Sequence, residues 1–336
     1  MLRHRIVYVM CLLLANGYLF AQQSGEQSMW NRFFDFLSAS KADSAYAVRH
    51  PYRFSIKPKL GTSIGIYDVS WKGDGTSNRY SLRAHPIWKL GVNVSYRNLT
   101  IGIQRNISKF FDDGGSNNTE YSASSYGNKF GGEFSYSLMG RYTLWNANDR
   151  EWHKRLSSIQ SKRLFANGYY VFNHRHFSYP AAFTQSYHQK RSCGSALIGL
   201  FFSNEWIDID TSLLQEEAGE QLGDVRYPQQ ITSRSFGING GYAYNWVLGS
   251  KWMLHGSLVP SVSLHKKGTI TFDETKQKLK QEPIDLGCIV RMGALWDRSR
   301  YFAGFTAVLT LTELGKGLVN VTDCYVRTRL FYGFRF

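Results

Sequence analysis

Long hydrophobic runs are almost absent from this chain of 336 residues. The stretch "IVYVMCLLLA", which follows the basic "MLRHR", is about ten residues long, and no later segment approaches the roughly 18 apolar residues that a membrane-spanning helix needs. This absence excludes a helical membrane protein. A short apolar run behind basic residues and ahead of "YLFA" is typical of a secretory signal peptide. We therefore expect residues 1–21 to be cleaved after export through the Sec pathway.

Cysteine is scarce, and one of the four cysteines lies in the predicted signal peptide. Cys193, Cys288 and Cys324 are far apart, odd in number and never arranged as CxxC. This spacing argues against a disulfide framework and against a cysteine-based zinc site.

Acidic residues are few, with 25 Asp and Glu against 40 Lys and Arg. An excess of cations favours anionic partners. The cations are spaced singly, without a basic run or a recognition motif, so we expect no nucleic-acid binding.

Aromatic residues are abundant, with 21 Tyr and 22 Phe, as is usual for half-buried strands. The C-terminal "RTRLFYGFRF" alternates with period two, which indicates a β-strand. One face is apolar and the other carries arginines. The same alternation occurs in "FSIKPKLGTSIGI", "SFGINGGYAYNWVL", "WMLHGSLVPSVSLH" and "YFAGFTAVLTLTEL".

These apparent strands reach ten or more residues, which suits a tilted membrane strand better than a soluble sandwich. Every apparent strand has one apolar face and one polar face. A closed barrel accommodates both faces, because the apolar side chains contact lipid and the polar side chains line the interior. We predict an all-β fold, an antiparallel transmembrane β-barrel of about 12 strands, with 10 as the alternative, over residues 51–336 in a bacterial outer membrane. Residues 22–50 are predicted to form a periplasmic segment with a candidate amphipathic helix at 29–37.

Strand boundaries follow from the alternation. The segment 142–152 alternates poorly, but we retain it as a predicted strand. Both ends of the barrel chain are expected in the periplasm, and this requires an even number of strands. Short turns are predicted at 96–100, 139–142, 247–251 and 297–300, and longer connections at 70–78, 110–127, 208–230 and 267–282. The predicted strands are 52–69, 78–97, 99–110, 128–140, 142–152, 160–173, 187–207, 231–247, 251–266, 283–296, 300–314 and 321–336.

The segment "HFSYPAAFTQSYHQKRSCGSALIG" (176–199), with "DTSLL" at 210–214 and the terminal "LFYGFRF", resembles the family of domain of unknown function 4421. That family consists of outer-membrane barrel proteins of Bacteroidota. The resemblance covers roughly residues 50–336. It implies the barrel fold and the outer-membrane location, and it implies no particular activity.

Three sets of residues are candidates for function. An apolar C-terminal face resembles the signal read by the barrel-assembly machinery: Phe336, Phe334, Tyr332 and Leu330. Cations are predicted on the lumen face: Lys57, Lys59, Lys89, Arg97, Arg291, Arg327, Arg329 and Arg335. A segment that does not alternate is predicted to be a long turn on the rim or a constriction in the lumen: Phe177, Tyr179, Pro180, Ala181, Ala182, Phe183 and Gln185.

No nucleophile motif is present, and His255, Ser257 and Asp285 are read as lumen polar residues. The histidines His174, His176 and His188 lack further ligands, so we expect no catalytic, cofactor or metal site. The predicted function is a structural barrel or a small-solute pore with a basic lumen. A lipid-modifying enzyme and an accessory protein of an envelope assembly are the alternatives. Expected partners are outer-membrane lipid, lipopolysaccharide and a small anionic solute.

Overall fold

The computed structural model describes residues 42–73, 76–107, 118–146, 153–222, 228–272, 275–278, 285–315 and 319–336. The predicted signal peptide and the candidate helix at 29–37 lie outside these residues. Within them the chain forms sixteen strands and two helices. Neither of these two helices is long and apolar enough to cross a membrane.

The helices are α1 (Tyr179–Phe183) and α2 (Thr211–Leu222). The strands are, in chain order, β1 (Ala47–Arg49), β2 (Phe54–Gly73), β3 (Thr76–Ala84), β4 (Ile87–Tyr96), β5 (Leu99–Asn106), β6 (Thr119–Tyr126), β7 (Phe130–Asn146), β8 (His153–Val171), β9 (Tyr187–Gln189), β10 (Cys193–Ile209), β11 (Gln230–Val247), β12 (Trp252–Phe272), β13 (Thr275–Lys278), β14 (Asp285–Arg298), β15 (Tyr301–Gly315) and β16 (Val319–Arg335).

Twelve strands close into an antiparallel barrel. They pair in the order β2, β4, β5, β6, β7, β8, β10, β11, β12, β14, β15 and β16, and β16 returns to β2 through pairs such as Arg327↔Ser63. Because this ladder of twelve strands is closed, its described strands leave no open edge toward lipid, as a sheet that spans lipid requires, and β13 extends β12 at the far end. The structure confirms the predicted transmembrane barrel of about twelve strands.

The strands β5 and β6 end before their neighbours do. Their last pair is Arg105↔Thr119, and beyond it β3 pairs directly with β7 from Ala84↔Tyr142 onward. Strand β3 continues the line of β4 along β2 after an interruption at Pro86, whose missing N–H cannot join the ladder. Past the ends of β5 and β6 the barrel wall therefore has two strands fewer. We call the level at which these two strands end the step.

Several predicted boundaries are wrong. The predicted loop 70–78 is largely strand, the predicted strand 78–97 is divided into β3 and β4, and the predicted separate strand 142–152 begins inside β7. The predicted loop 110–127 contains β6, and the predicted turn at 139–142 lies inside β7. A register shift between Gly140 and Tyr142, with a φ of 61° at Arg141, marks a β-bulge there. A bulge resembles a turn in the sequence because it interrupts the period-two alternation without ending the strand.

Short connections gather at one end of the barrel, which we call the turn end. Residues 97–98 join β4 to β5, and residues 299–300 join β14 to β15. The chain also ends there, since Phe54 and Phe336 exchange two backbone hydrogen bonds of 3.0 Å and stack their rings. The opposite end, the loop end, carries the longer connections and α2.

Large apolar side chains cover the outer surface from the turn end to about the level of the step. Leu200, Leu258 and Leu330 are exposed by 53%, 55% and 60%. Aromatic side chains such as Trp252 and Tyr301 lie at its turn-end edge. A continuous apolar surface of this kind, edged by aromatics, is stable against lipid rather than water. We call it the apolar belt.

The polarity of the two faces reverses beyond the belt. Outward positions there carry exposed cations: Arg83, Arg105, Arg155, Arg234 and Lys267. Inward positions carry apolar side chains that pack together with Leu214 of α2. These residues, the loop-end cluster, include Tyr67, Met139, Leu144, Ile159, Ile207, Ile231 and Ile270. At this end the barrel therefore has an apolar interior and a charged outer surface, as a water-soluble protein does.

Candidate functional site

The cations predicted to line the lumen lie inside the barrel, with one exception. Arg97 lies in the turn between β4 and β5, with a φ of 53°, and its guanidinium lies 5.7 Å from the Tyr96 ring centre. The predicted strand 78–97 extended one residue beyond the end of β4 at Tyr96. Arg97 was therefore wrongly assigned to the inner face of the strand. The inward cations are Lys57, Lys59, Lys89, Arg291, Arg327, Arg329 and Arg335.

All four of these inward arginines contact a buried or partly buried carboxylate. Arg291 pairs with Glu133, and both Arg327 and Arg329 pair with Glu120. Glu120 was not predicted as a lumen residue, because it lies on β6, which was predicted as a loop. The strand "TEYSASSY" is largely polar on both faces, so its alternation gave little signal for Glu120.

A further buried cluster, unforeseen from the sequence, lies nearer the loop end. Arg163 contacts Glu205 at 3.1 Å and Asp323 at 2.6 Å, and all three side chains are 3% exposed or less. Two carboxylates share one guanidinium in this cluster, so this part of the lumen has no excess of cations and differs from the predicted basic lumen.

The segment from residue 173 to residue 192, which we call the plug, enters the turn end of the lumen between β8 and β10. Its helix α1 is almost wholly buried, and Phe177 and Tyr179 are completely inaccessible to water. Proline at the start of α1 supplies the fixed φ and lacks an N–H that would need a partner. The predicted constriction residues therefore lie within the barrel and not on its rim.

Aromatic packing and hydrogen bonds hold the plug against the wall. Tyr179 packs on Tyr126 and Tyr169, with ring centres 5.8 and 4.8 Å apart. Asn245 of β11 donates a hydrogen bond of 3.0 Å to the Ser178 carbonyl. The ammonium of Lys57 donates to the side-chain carbonyl of Gln185 at 2.7 Å.

The Asp297 carboxylate joins the wall, the plug and the N-terminal residues. It accepts a hydrogen bond from Arg335 at 2.8 Å and contacts His50 at 2.9 Å and His188 at 3.4 Å. Burial lowers the pKa of His50 from its usual 6.5, although the hydrogen bond to Asp297 opposes that shift. Strand β1 also pairs with β9 of the plug, from Ala47↔Gln189 to Arg49↔Tyr187. Residues 42–50 thus form a strap across the plug.

Two of the three polar residues considered for catalysis, His255 and Asp285, are engaged with other side chains. His255 contacts the Asn245 side chain at 2.7 Å and packs between Tyr179 and Phe183, while Asp285 is paired with Lys266. The candidate metal-binding histidines also diverge, since His176 faces Asp43 whereas His188 faces Asp297. In the described part of the chain, no three His, Cys, Asp or Glu residues are arranged to hold a metal ion.

Several solved outer-membrane barrels share features of this architecture. The translocator domain of the autotransporter NalP from Neisseria meningitidis is 14% identical, with 92% of this chain and 95% of that chain covered and a TM-score of 0.39. The toluene transporter TodX of Pseudomonas putida is 8% identical, with 85% and 91% covered and a TM-score of 0.32. An outer-membrane channel of Pseudomonas putida F1 is 12% identical, with 88% and 100% covered and a TM-score of 0.32. Similarities this weak carry no argument about activity or solute.

No curated protein matches the chain. The sequence model of the family described as "Domain of unknown function (DUF4421)" matches residues 41–336. This match confirms the resemblance carried by residues 176–199 and the C-terminal strand, and it covers the strap, the plug and every strand of the barrel.

Proposed function

The chain belongs to the DUF4421 family, and on that premise we propose that it is a non-enzymatic structural barrel of the bacterial outer membrane that is closed to solutes. Its turn end faces the periplasm, because short turns lie on that side of outer-membrane barrels. The strap and the plug then face the periplasm, and the loop-end section projects outward beyond the lipid.

The observation that carries this proposal is the burial of the inner face along the whole barrel. Near the turn end Lys57 is 6% exposed, in the middle Ser203 is 5% exposed, and near the loop end Ile207 is 3% exposed. A twelve-stranded barrel is intermediate between barrels filled by side chains and water-filled pores. Here the plug fills one end and the loop-end cluster fills the other.

A second candidate function is a small-solute pore that conducts when the plug leaves the lumen. Two observations favour it. The plug is one continuous segment anchored by identifiable polar contacts, including those from Lys57 and Asn245. Its departure would also uncover inward cations such as Arg335. Cations of one sign in a channel raise the local concentration of anions, so such a pore would prefer anionic solutes.

Lipid phosphate groups are the proposed partner of the outer surface beyond the belt. Arg83, Arg105, Arg155, Arg234 and Lys267 are exposed near the edge where the apolar surface ends. In the described residues none of the five forms an ion pair with a carboxylate. Charged phosphates of lipopolysaccharide would lie at this level of an outer leaflet. The barrel-assembly machinery remains the proposed partner during biogenesis, through Phe336, Phe334, Tyr332 and Leu330.

Single-channel recording in planar bilayers tests the proposal. The closed structural barrel predicts no conductance from the intact protein and none from a variant in which residues 177–187 are replaced by a short glycine-containing turn. Anion-selective conductance from the shortened variant alone would establish the second candidate. Steady conductance from the intact protein would refute the closed barrel.

A further inference from the structure

Four cations, three of them buried and the fourth, Arg329, 24% exposed, surround a single carboxylate in the middle of the barrel wall. Lys59, Lys89 and Arg327 are 3%, 1% and 7% exposed, and the charges of all three reach Glu120, as does that of Arg329. Arg327 and Arg329 contact Glu120 directly. We call Lys59, Lys89, Arg327, Arg329 and Glu120 the cationic cluster.

Strand register brings these residues together. Lys59 lies opposite Gly91, Gly91 opposite Gln104, and Gln104 opposite Glu120, so these four form one row across β2, β4, β5 and β6. A side chain at Gly91 would overlap the Cγ of Gln104. The glycine therefore lets Gln104 lie across the row between Lys59 and Glu120.

The next row follows the same rule. Arg329 lies opposite Gly61 of β2, and Gly61 lies opposite Lys89 of β4. Added atoms at Gly61 would meet the Thr328 carbonyl and the Cγ of Arg329. In each row, long side chains lie over a glycine, which is Gly91 in the first row and Gly61 in the second. The charged side chains of both rows are directed toward Glu120.

The carboxylates elsewhere in the lumen do not balance this charge. Glu133 is the next nearest, but it pairs with Arg291 and accepts a hydrogen bond from Tyr126 at 3.1 Å. Lys57 lies beside Lys59, but its ammonium is engaged with the plug through Gln185 and Phe183. Four cations against one carboxylate leave an excess of positive charge in a place from which water is largely excluded.

Hydrogen-bond donors of the cluster are also left without protein acceptors. In the described residues, these atoms are the Nζ of Lys89, the Nε2 of Gln104 and the Nε atoms of Arg327 and Arg329. An unsatisfied buried donor costs about 1–3 kcal/mol, and more when it is charged. An acceptor that carries negative charge would satisfy these donors and the charge imbalance together.

We propose that the cationic cluster binds a small inorganic anion, either chloride or inorganic phosphate, inside the closed barrel. The anion accepts hydrogen bonds from Lys89 and Gln104 and offsets the positive charge that Glu120 leaves uncompensated. Its role is to stabilise the barrel wall between β16 and β5. The site does not require that the barrel conduct.

The test compares the unfolding of the full-length mature protein in detergent micelles, at constant ionic strength, in sodium gluconate, sodium chloride or sodium phosphate. Gluconate, an organic anion larger than chloride or phosphate, serves as the reference anion. A ligand that binds only the folded state raises the denaturant midpoint in a saturable, concentration-dependent way. We expect this rise with chloride or phosphate, and the effective salt identifies which of them binds.

Two variants separate the site from general salt effects. Lys89→Met removes the unpartnered ammonium and keeps the stem, so it should lose the anion response and be at least as stable as the wild type in gluconate. Lys162→Met removes one charge from a partly exposed pair with Asp208 and should keep the full response. Equal midpoints of the wild type in all three salts, or a full response in Lys89→Met, would overturn the proposal. If Lys89→Met does not fold, Arg329→Met replaces it; this variant should also lose the anion response, but it should be less stable than the wild type in gluconate because Arg329 pairs with Glu120.

Discussion

The ammonium of Lys57 donates hydrogen bonds to the side-chain carbonyl of Gln185 at 2.7 Å and to the backbone carbonyl of Phe183 at 3.0 Å. One inward side chain of β2 thereby holds the plug from inside the barrel. The bond connects residues far apart in the sequence and joins a predicted lumen cation to a predicted constriction residue. The sequence did not predict that the lumen cations and the constriction residues would be close together. The constriction segment does not alternate, so its position relative to the barrel strands could not be inferred from strand pairing.

Loss of this anchor should loosen the plug. Lys57→Met is expected to accelerate amide hydrogen exchange in residues 177–189 and to leave exchange in β11 and β12 unchanged, because the wall ladders do not depend on Lys57. Arg97→Met, which changes the same charge in an outer turn, serves as the control. Unchanged exchange in the plug of Lys57→Met would show that aromatic packing alone holds it.

Acidification should release the strap. Because the folded-state pKa of His50 lies below 6.5, its buried neutral form stabilises the strap above about pH 6.5, and this contribution is lost as the pH falls through the lowered pKa. The charges of Arg335 and His188, which face the same carboxylate, add to this effect. Hydrogen exchange at the His50 amide, which donates to the Ser186 carbonyl at 3.0 Å, reports the change.

The control for this pH effect is His50→Gln, which cannot be protonated. At pH 7.5 and pH 5 the variant and the wild type are compared at the same pH, so that the intrinsic pH dependence of exchange cancels. We expect the wild type to lose protection relative to His50→Gln on acidification. Parallel behaviour of the two proteins would mean that Asp297 holds protonated His50 equally well.

Removal of Arg163 should destabilise the barrel strongly. Arg163→Met leaves Glu205 and Asp323 buried without their cation, at a cost of about 3–5 kcal/mol. The neighbouring Lys162→Met breaks a partly exposed pair with Asp208 and should cost at most about 1 kcal/mol. Urea unfolding of both variants gives the comparison, and similar costs would contradict the buried cluster.

The sequence predicted the barrel because the alternation of apolar and polar residues is a local signal that each strand carries by itself. Seven of the eight cations predicted on the lumen face lie inward, since parity fixes the side of a strand residue. Arg163 and Glu120 escaped notice for different reasons. Arg163 lies where the polarity of the faces reverses, and Glu120 lies on a short polar strand without an apolar face strong enough to mark it.

The reversal of polarity along the wall predicts opposite tolerance to a charge at two outward positions. Leu200→Lys places an ammonium in the middle of the apolar belt and should cost about 2–4 kcal/mol. Thr232→Lys, also outward but beyond the belt next to Arg234, should cost at most about 1 kcal/mol. Unfolding in lipid vesicles measures both. Equal costs would mean that lipid reaches further toward the loop end than the belt does.

Thiol labelling tests the closure of the lumen most directly. In a background with Cys193, Cys288 and Cys324 replaced by alanine, Ser203→Cys places a thiol on the inner face where the residue is 5% exposed, and Ser250→Cys places one in an exposed turn. A membrane-impermeant maleimide is added to the folded protein in micelles, where it reaches both ends of the barrel. The closed barrel predicts rapid labelling at residue 250 and none at residue 203 until the protein is unfolded. Labelling of residue 203 at a rate near that of residue 250 would contradict a closed lumen.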